Sequence, residues 1–146
     1  MKNFEIIIPV KKIPSVNAAH KIGRAGNKVW IYLSKEIKDL QEKVRIDLLK
    51  NNVQDWAKNL TSDYILYVDI IYCFNNRFWL RDVTNLNKYV EDGIAMTIDF
   101  NDNRSLKFNS EKVMNDLGKE EFIVISIQPK LLNSVKYKWS QFINES

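Results

Sequence analysis

Residues 81–88 read Arg-Asp-Val-Thr-Asn-Leu-Asn-Lys, and Asp102-Asn103-Arg104 begins fourteen residues after Lys88. The first stretch gathers a carboxylate, amides and a lysine at the mouth of an expected helix. The second brings acidic and amide oxygens after a helix-length interval. Oxygen donors of this kind suit a hard divalent cation, and a lysine beside them suits a phosphodiester. On a helix beginning near Asp82, positions 85, 88, 89 and 92 share a face carrying Asn85, Lys88, Tyr89 and Asp92, opposite an apolar stripe of Val83, Leu86 and Val90. Backbone N–H groups at such a helix start also favour an anion. Ordinary helix chemistry accounts for the same residues: Asp82 as an N-cap, and Lys88–Asp92 as an i,i+4 surface pair.

The elements that must hold these residues follow from the pattern. Phe4 to Val10 reads as a strand, Ala18 to Lys28 as a mobile loop around Gly23 and Gly26, and Val29 to Leu33 as a short strand. Ser34 caps a helix whose stripe is Ile37, Leu40, Val44 and Leu48, running to about Asn51, with a further turn or two before Leu60. Tyr64 to Phe74 is the strongest strand signal, interrupted by Asp69 as an exposed-face residue. A helix capped by Asp82 or Thr84 runs through about Met96. Strands follow at Ser105–Phe108 and Phe122–Gln128. Leu131, Leu132, Val135, Trp139 and Phe142 then give a C-terminal helical stripe. The order β-α-β-α-β-β plus a C-terminal helix predicts a mixed α+β fold with a small mixed sheet and two main helices.

Composition bounds the rest. The chain of 146 residues suits one domain spanning 1–146, and an apolar fraction of 45% excludes disorder. No apolar run is long enough to cross a membrane, and the N-terminus, with Glu5 and no small-residue cleavage site, reads as a strand and not a signal peptide. Cys73 is the only cysteine, so no disulfide forms within the chain; a buried thiol fits a reducing cytoplasm. His20 is the only histidine, which excludes any histidine-based metal site or Ser-His-Asp triad that does not use it. The net charge is +4, and no acidic residue falls from Val10 to Ser34, where Lys11, Lys12, His20, Lys21, Arg24 and Lys28 lie. That segment is either a phosphate-facing surface or a solvated loop.

Residues 81–88 resemble the signature of the RusA family of Holliday-junction resolvases, in outline Asp-x-Asp-Asn-x-x-Lys, then a helix, then a paired-Asp turn. Asp92 fits a further acidic position on that helix, and Asn101-Asp102-Asn103-Arg104 fits the paired-Asp turn. Pro14-Ser15-Val16-Asn17, the basic Gly-containing loop and Tyr32-Leu33-Ser34 before a long helix are similar to the family's opening Pro-Ser-x-Asn segment. The likeness keeps its order and spacing over most of the chain.

The resemblance implies a dimeric, metal-dependent endodeoxyribonuclease that cuts four-way DNA junctions, cytoplasmic in a bacterial cell and compatible with a phage or prophage origin. By position, Asp82, Lys88 and Asp102 would be catalytic. Asp82 and Asp102, helped by Asp92, would hold Mg²⁺, and Mn²⁺ suits the same oxygens. Thr84, Asn85 and Asn103 would support the site, and hydrolysis would use a metal-activated water. Asn17, Lys21, Arg24 and Lys28 would contact DNA phosphates, which position a duplex without reading its sequence. Phe78 and Trp79 would either wedge at the junction centre or pack in the core. A two-fold dimer matches the near two-fold symmetry of the junction. Two departures stand out: Thr84 occupies the place of the second Asp, and Asn103 that of the second Asp of the turn. Each removes a negative charge from the metal site. They leave open a branched-DNA-binding protein with weak catalysis, and beyond it a structural domain whose charged helix is merely solvated.

Overall fold

Tyr64–Phe74 is rich in β-branched and aromatic residues, and it forms the longest-buried strand of the structure, β4. In the computed structural model, residues 1–14, 20–76, 81–98, 106–115, 118 and 120–133 are described. The strands of the main sheet are β1 (Phe4–Val10), β4, β5 (Leu106–Met114) and β6 (Glu121–Leu131), in the order β1-β6-β4-β5. β6 pairs antiparallel with β1 and with β4, whereas β4 and β5 run parallel, Leu66 opposite Leu106 and Phe74 opposite Met114. A parallel neighbour requires a crossover, and α3 (Thr84–Ile98) supplies it. The result is one mixed α+β domain, as the element pattern predicts.

The period-2 alternation of the strands decides what is buried. Phe4, Ile6 and Ile8 of β1, Leu66, Val68, Ile70, Tyr72 and Phe74 of β4, and Ile123, Ile125 and Ile127 of β6 join one core. α1 (Lys35–Lys50) adds Ile37, Leu40, Val44 and Leu48, the stripe its sequence shows, and the Ser34 hydroxyl caps it by accepting from the Ile37 N–H at 3.4 Å. The short α2 (Val53–Ala57) follows, with Val53 buried. α1 and α3 cross closely at Gly93, where a Cβ would lie 3.6 Å from Gln41. Burying each large aliphatic side chain contributes about 1.5–3 kcal/mol, so this core outweighs any single polar contact below.

Two expectations need correction. The stretch Ala18–Lys28 is not a loop throughout: β2 (His20–Ala25) pairs antiparallel with β3 (Lys28–Leu33) in a separate hairpin. Ala25 pairs with Lys28 across Gly26-Asn27, and Gly26 has φ +60, which L side chains avoid. A Gly-Asn pair between two short runs is itself a hairpin signal. β5 also extends to Met114, well past Phe108, because its alternation continues through polar residues on an exposed edge. Of the expected C-terminal helical stripe, Leu131 instead ends β6, and Val135, Trp139 and Phe142 lie outside the described residues.

Candidate nucleic-acid and metal site

Asp82 sits just before the first turn of α3, where its Oδ1 accepts the Thr84 N–H at 2.9 Å. That bond and a second from the Thr84 hydroxyl hold the Asp82 carboxyl below its ordinary range, with Lys112 adding a smaller attraction. Asp82 is therefore an exposed, firmly ionised carboxylate. Thr84 and Asn85 open the helix beside it, and Lys88 follows one turn later. All are exposed, while Leu86, Val90, Gly93 and Ile94 face the core. The i,i+4 pair between Lys88 and Asp92 is not made among the described residues, so that ordinary role for Lys88 is not the one the fold uses. Tyr89, expected on the polar face, is instead buried, at 7% exposure. Its carbonyl accepts from Gln41 Nε2 at 2.9 Å, tying α3 to α1.

The helix start is held from three sides. Lys112 Nζ donates to the Arg81 carbonyl at 2.7 Å, from β5. Arg81 itself stacks over the Phe74 ring at 4.3 Å and forms a buried ion pair with Glu121, Nη2 to Oε1 at 2.8 Å. Arg81 Nη2 also donates to the Ile13 carbonyl at 2.6 Å, and Glu121 accepts the N–H of Ile13 at 2.8 Å and of Asn75 at 3.1 Å. A little further along, the Tyr72 hydroxyl donates to Asn87 Oδ1 at 2.5 Å, and Asn87 Nδ2 donates to Ser110 Oγ. Glu91 is half-buried on the same side of the helix, and burial, then Asp92, holds its carboxyl above the ordinary range.

Sequence reasoning missed Glu121, Lys112 and Asn87. For Glu121 a signal existed: it shares the period-2 face of Ile123, Ile125 and Ile127, which is buried, so its carboxylate had to find an internal partner. Arg81, treated only as part of the motif, is that partner.

The proposed ligands are brought together only in part. Asp92 lies eight residues along α3 from Thr84, about 12 Å by helix rise. Oxygens sharing one Mg²⁺ sit about 2.1 Å from it, so Asp82 and Asp92 of one chain cannot hold the same ion. Asp92 is therefore removed from that ligand set. Asp102 and Asn103 lie outside the described residues, within a segment joining Ile98 to Leu106. Asn87 meets Tyr72 and Ser110 while Arg81 meets Lys112, so α3 runs back toward the start of β5 and Ile98 lies about 22 Å from the Asp82 end. No group of three or more acidic, histidine or cysteine side chains placed for a metal occurs among the described residues. What is present fits a hard cation in its donor chemistry, carboxylate and hydroxyl oxygens with no soft ligand, but supplies one carboxylate.

Of the expected phosphate contacts, Arg24 and Lys28 are exposed on the β2–β3 hairpin, and Lys21 pairs with Tyr32 within it. Asn17, Phe78 and Trp79 lie outside the described residues. An open groove of about 870 Å³ runs beside the end of β1 and the first turns of α1. Lys11, Lys12 and Lys43 line it together with Glu36, Asp39 and Glu120, so its charges offset and it offers no net attraction to a polyanion. Cys73 is buried, which pushes its thiol up and suits a core side chain. Among the described residues no helix is long and apolar enough to cross a membrane. No family model matches the chain, and no curated protein matches it.

Proposed function

We propose that this protein is a structure-selective, metal-dependent endodeoxyribonuclease acting on four-way DNA junctions as a homodimer, in line with the RusA-like order of its motifs. The observation that carries the reading is the surface at the start of α3. There an ionised Asp82, supported by Thr84 and by Lys112, precedes exposed Lys88 on the same helix, and among the described residues no ion pair takes up the lysine's charge. Asp82 would hold Mg²⁺, or Mn²⁺, with neutral oxygens of Thr84 and Asn85 in support; Asp102 and Asn103 join that set by the family resemblance alone. When bound, the cation supplies a water acidified for attack and polarises the phosphate. The chain's own part is to present Lys88 to the negative charge that grows on the phosphoryl oxygens, already oriented on a rigid helix. Arg24, Lys28 and the neighbouring basic residues would hold the strands by their phosphates, leaving selectivity to junction shape.

A second reading is supported by Thr84. Its hydroxyl is spent on the Asp82 carboxylate, and it brings no charge where the family pattern has an acid. A branched-DNA-binding protein with little cleavage would look like this. A labelled four-way junction and a matched linear duplex, each with Mg²⁺, Mn²⁺ or EDTA, separate the readings on denaturing and native gels. Paired nicks in the junction alone, lost in EDTA, support the nuclease. A junction-selective shift without nicks supports the binding protein. Neither would sink both.

A further inference from the structure

We infer that Glu121 is a positioning residue that holds the Asp82 turn and the Lys11–Pro14 stretch at a fixed offset; what the positioned groups then do rests on the function proposed above. Glu121 and Arg81 are the only members of their ion pair, yet together they bind three separate pieces of chain. One carboxylate oxygen accepts from the Ile13 N–H and from Arg81 Nη2, and the other from the Asn75 N–H and Arg81 Nη1. Arg81 returns a bond to the Ile13 carbonyl, so both backbone polar groups of buried Ile13 are satisfied by this one pair. Ile13 follows Lys11 and Lys12 directly, Asn75 follows β4, and Arg81 precedes Asp82. The pair thus joins the basic N-terminal segment to the acidic motif across a strand, β6, that itself bears neither.

A plain stability role explains a buried pair poorly. Apolar residues of similar volume serve a core at least as well as two buried charges, and such pairs are better accounted for where they fix one arrangement. Here the geometry is bidentate: the planar guanidinium fixes direction as well as distance, which lysine cannot do. The backbone carbonyl of Arg81 is anchored from the other side by Lys112, so the residue before Asp82 has neither end free to shift.

The test compares the full chain with Glu121→Gln, well below the melting transition of both. Amide hydrogen exchange is read by mass spectrometry, and junction cutting and junction binding are read separately. The expected result is exchange faster by about tenfold or more in peptides covering 11–14 and 81–88, with α1 and the centres of β4 and β6 unchanged. Cutting at saturating junction should fall by about tenfold to a hundredfold while the junction Kd moves little, as misplacement of a reacting group predicts. Exchange that rises evenly through the sheet, or does not rise at 81–88, overturns the inference and leaves Glu121 as an ordinary core group. If Glu121→Gln does not fold, Arg81→Lys, which keeps the charge and loses the fork, is judged by the same readings. If the parent does not cut junctions, the proposed function fails, and the exchange result still decides whether Glu121 positions the two segments.

Discussion

The Tyr72 hydroxyl on β4 donates to Asn87 Oδ1 on α3 at 2.5 Å, one residue before Lys88. Burial, and then the Glu91 carboxylate, push the Tyr72 phenol far above its ordinary range, so the proton stays on Tyr72 and is there to be donated. Asn87 accepts it with its oxygen and donates with its nitrogen to Ser110. The chain β4–α3–β5 sets the rotation of the helix that displays Lys88. Replacing Asn87 by Leu leaves the buried Tyr72 hydroxyl without an acceptor and should cost about 1–3 kcal/mol, read as a lower urea midpoint. Tyr72→Phe with Asn87→Leu should recover part of that loss, because both partners are then removed.

Asp82→Asn should abolish metal-dependent cutting and leave junction binding intact. The amide oxygen can still accept the Thr84 N–H, so stability should change by less than about 1 kcal/mol. The gel assay and a thermal melt on the same preparation check both halves. Cutting at the parental rate would remove Asp82 from the reaction.

Glu91 makes a prediction about pH. Its carboxyl is raised above the ordinary value, so the folded protein prefers the protonated form. Stability from this group is fully present below the unfolded pKa and is lost as pH rises through the folded one. Glu91→Gln should therefore raise the melting temperature at neutral pH, with the gain shrinking to nothing in the acid range below the unfolded glutamate pKa. A gain that is the same at all pH values would mean that packing, and not charge, sets the effect.

Gly93→Ala should stabilise. The added Cβ meets Gln41 at 3.6 Å and Arg45 at 3.9 Å, ordinary contact distances, and the residue lies in a helix interior where glycine costs about 0.5–1 kcal/mol relative to alanine. A melt that drops instead would show that α1 and α3 cannot give even a little at their crossing.

Arg24→Ala and Lys28→Ala test the hairpin as a phosphate surface. Each should weaken junction binding and reduce the slope of log K against log salt by about 0.9 if it removes one phosphate contact. An unchanged slope would return the hairpin to plain solvent exposure.

Much of the fold was legible because it is written in period. The β4 bounds, the stripe of α1 from Ile37 to Leu48 and its Ser34 cap, and the span of α3 follow from local spacing that tertiary packing then reinforces. The β2–β3 hairpin was hidden by its basic, glycine-containing composition, which reads as loop unless the Gly-Asn turn is taken as the organising feature. The site was legible as residue types and not as distances. Helical facing groups Lys88 with Asp92, but a helix also spreads its residues along an axis, and that extent separates Asp92 from Asp82. Glu121 contacts Arg81 forty positions away, and only the closed sheet brings the two together.

The place of β6 in the sheet has a consequence for how the molecule comes into being. It lies between β1 and β4, so among the described residues β1 has no strand partner until β6 is made. Residue 121, at its leading end, also closes the ring of bonds behind Asp82. During synthesis, then, a nascent chain shorter than this carries every residue of the 81–88 motif without the frame that orients it. Acquisition of an oriented Asp82 coincides with closure of the sheet, so the turn at 81–82 gains its anchor only once residue 121 has been made.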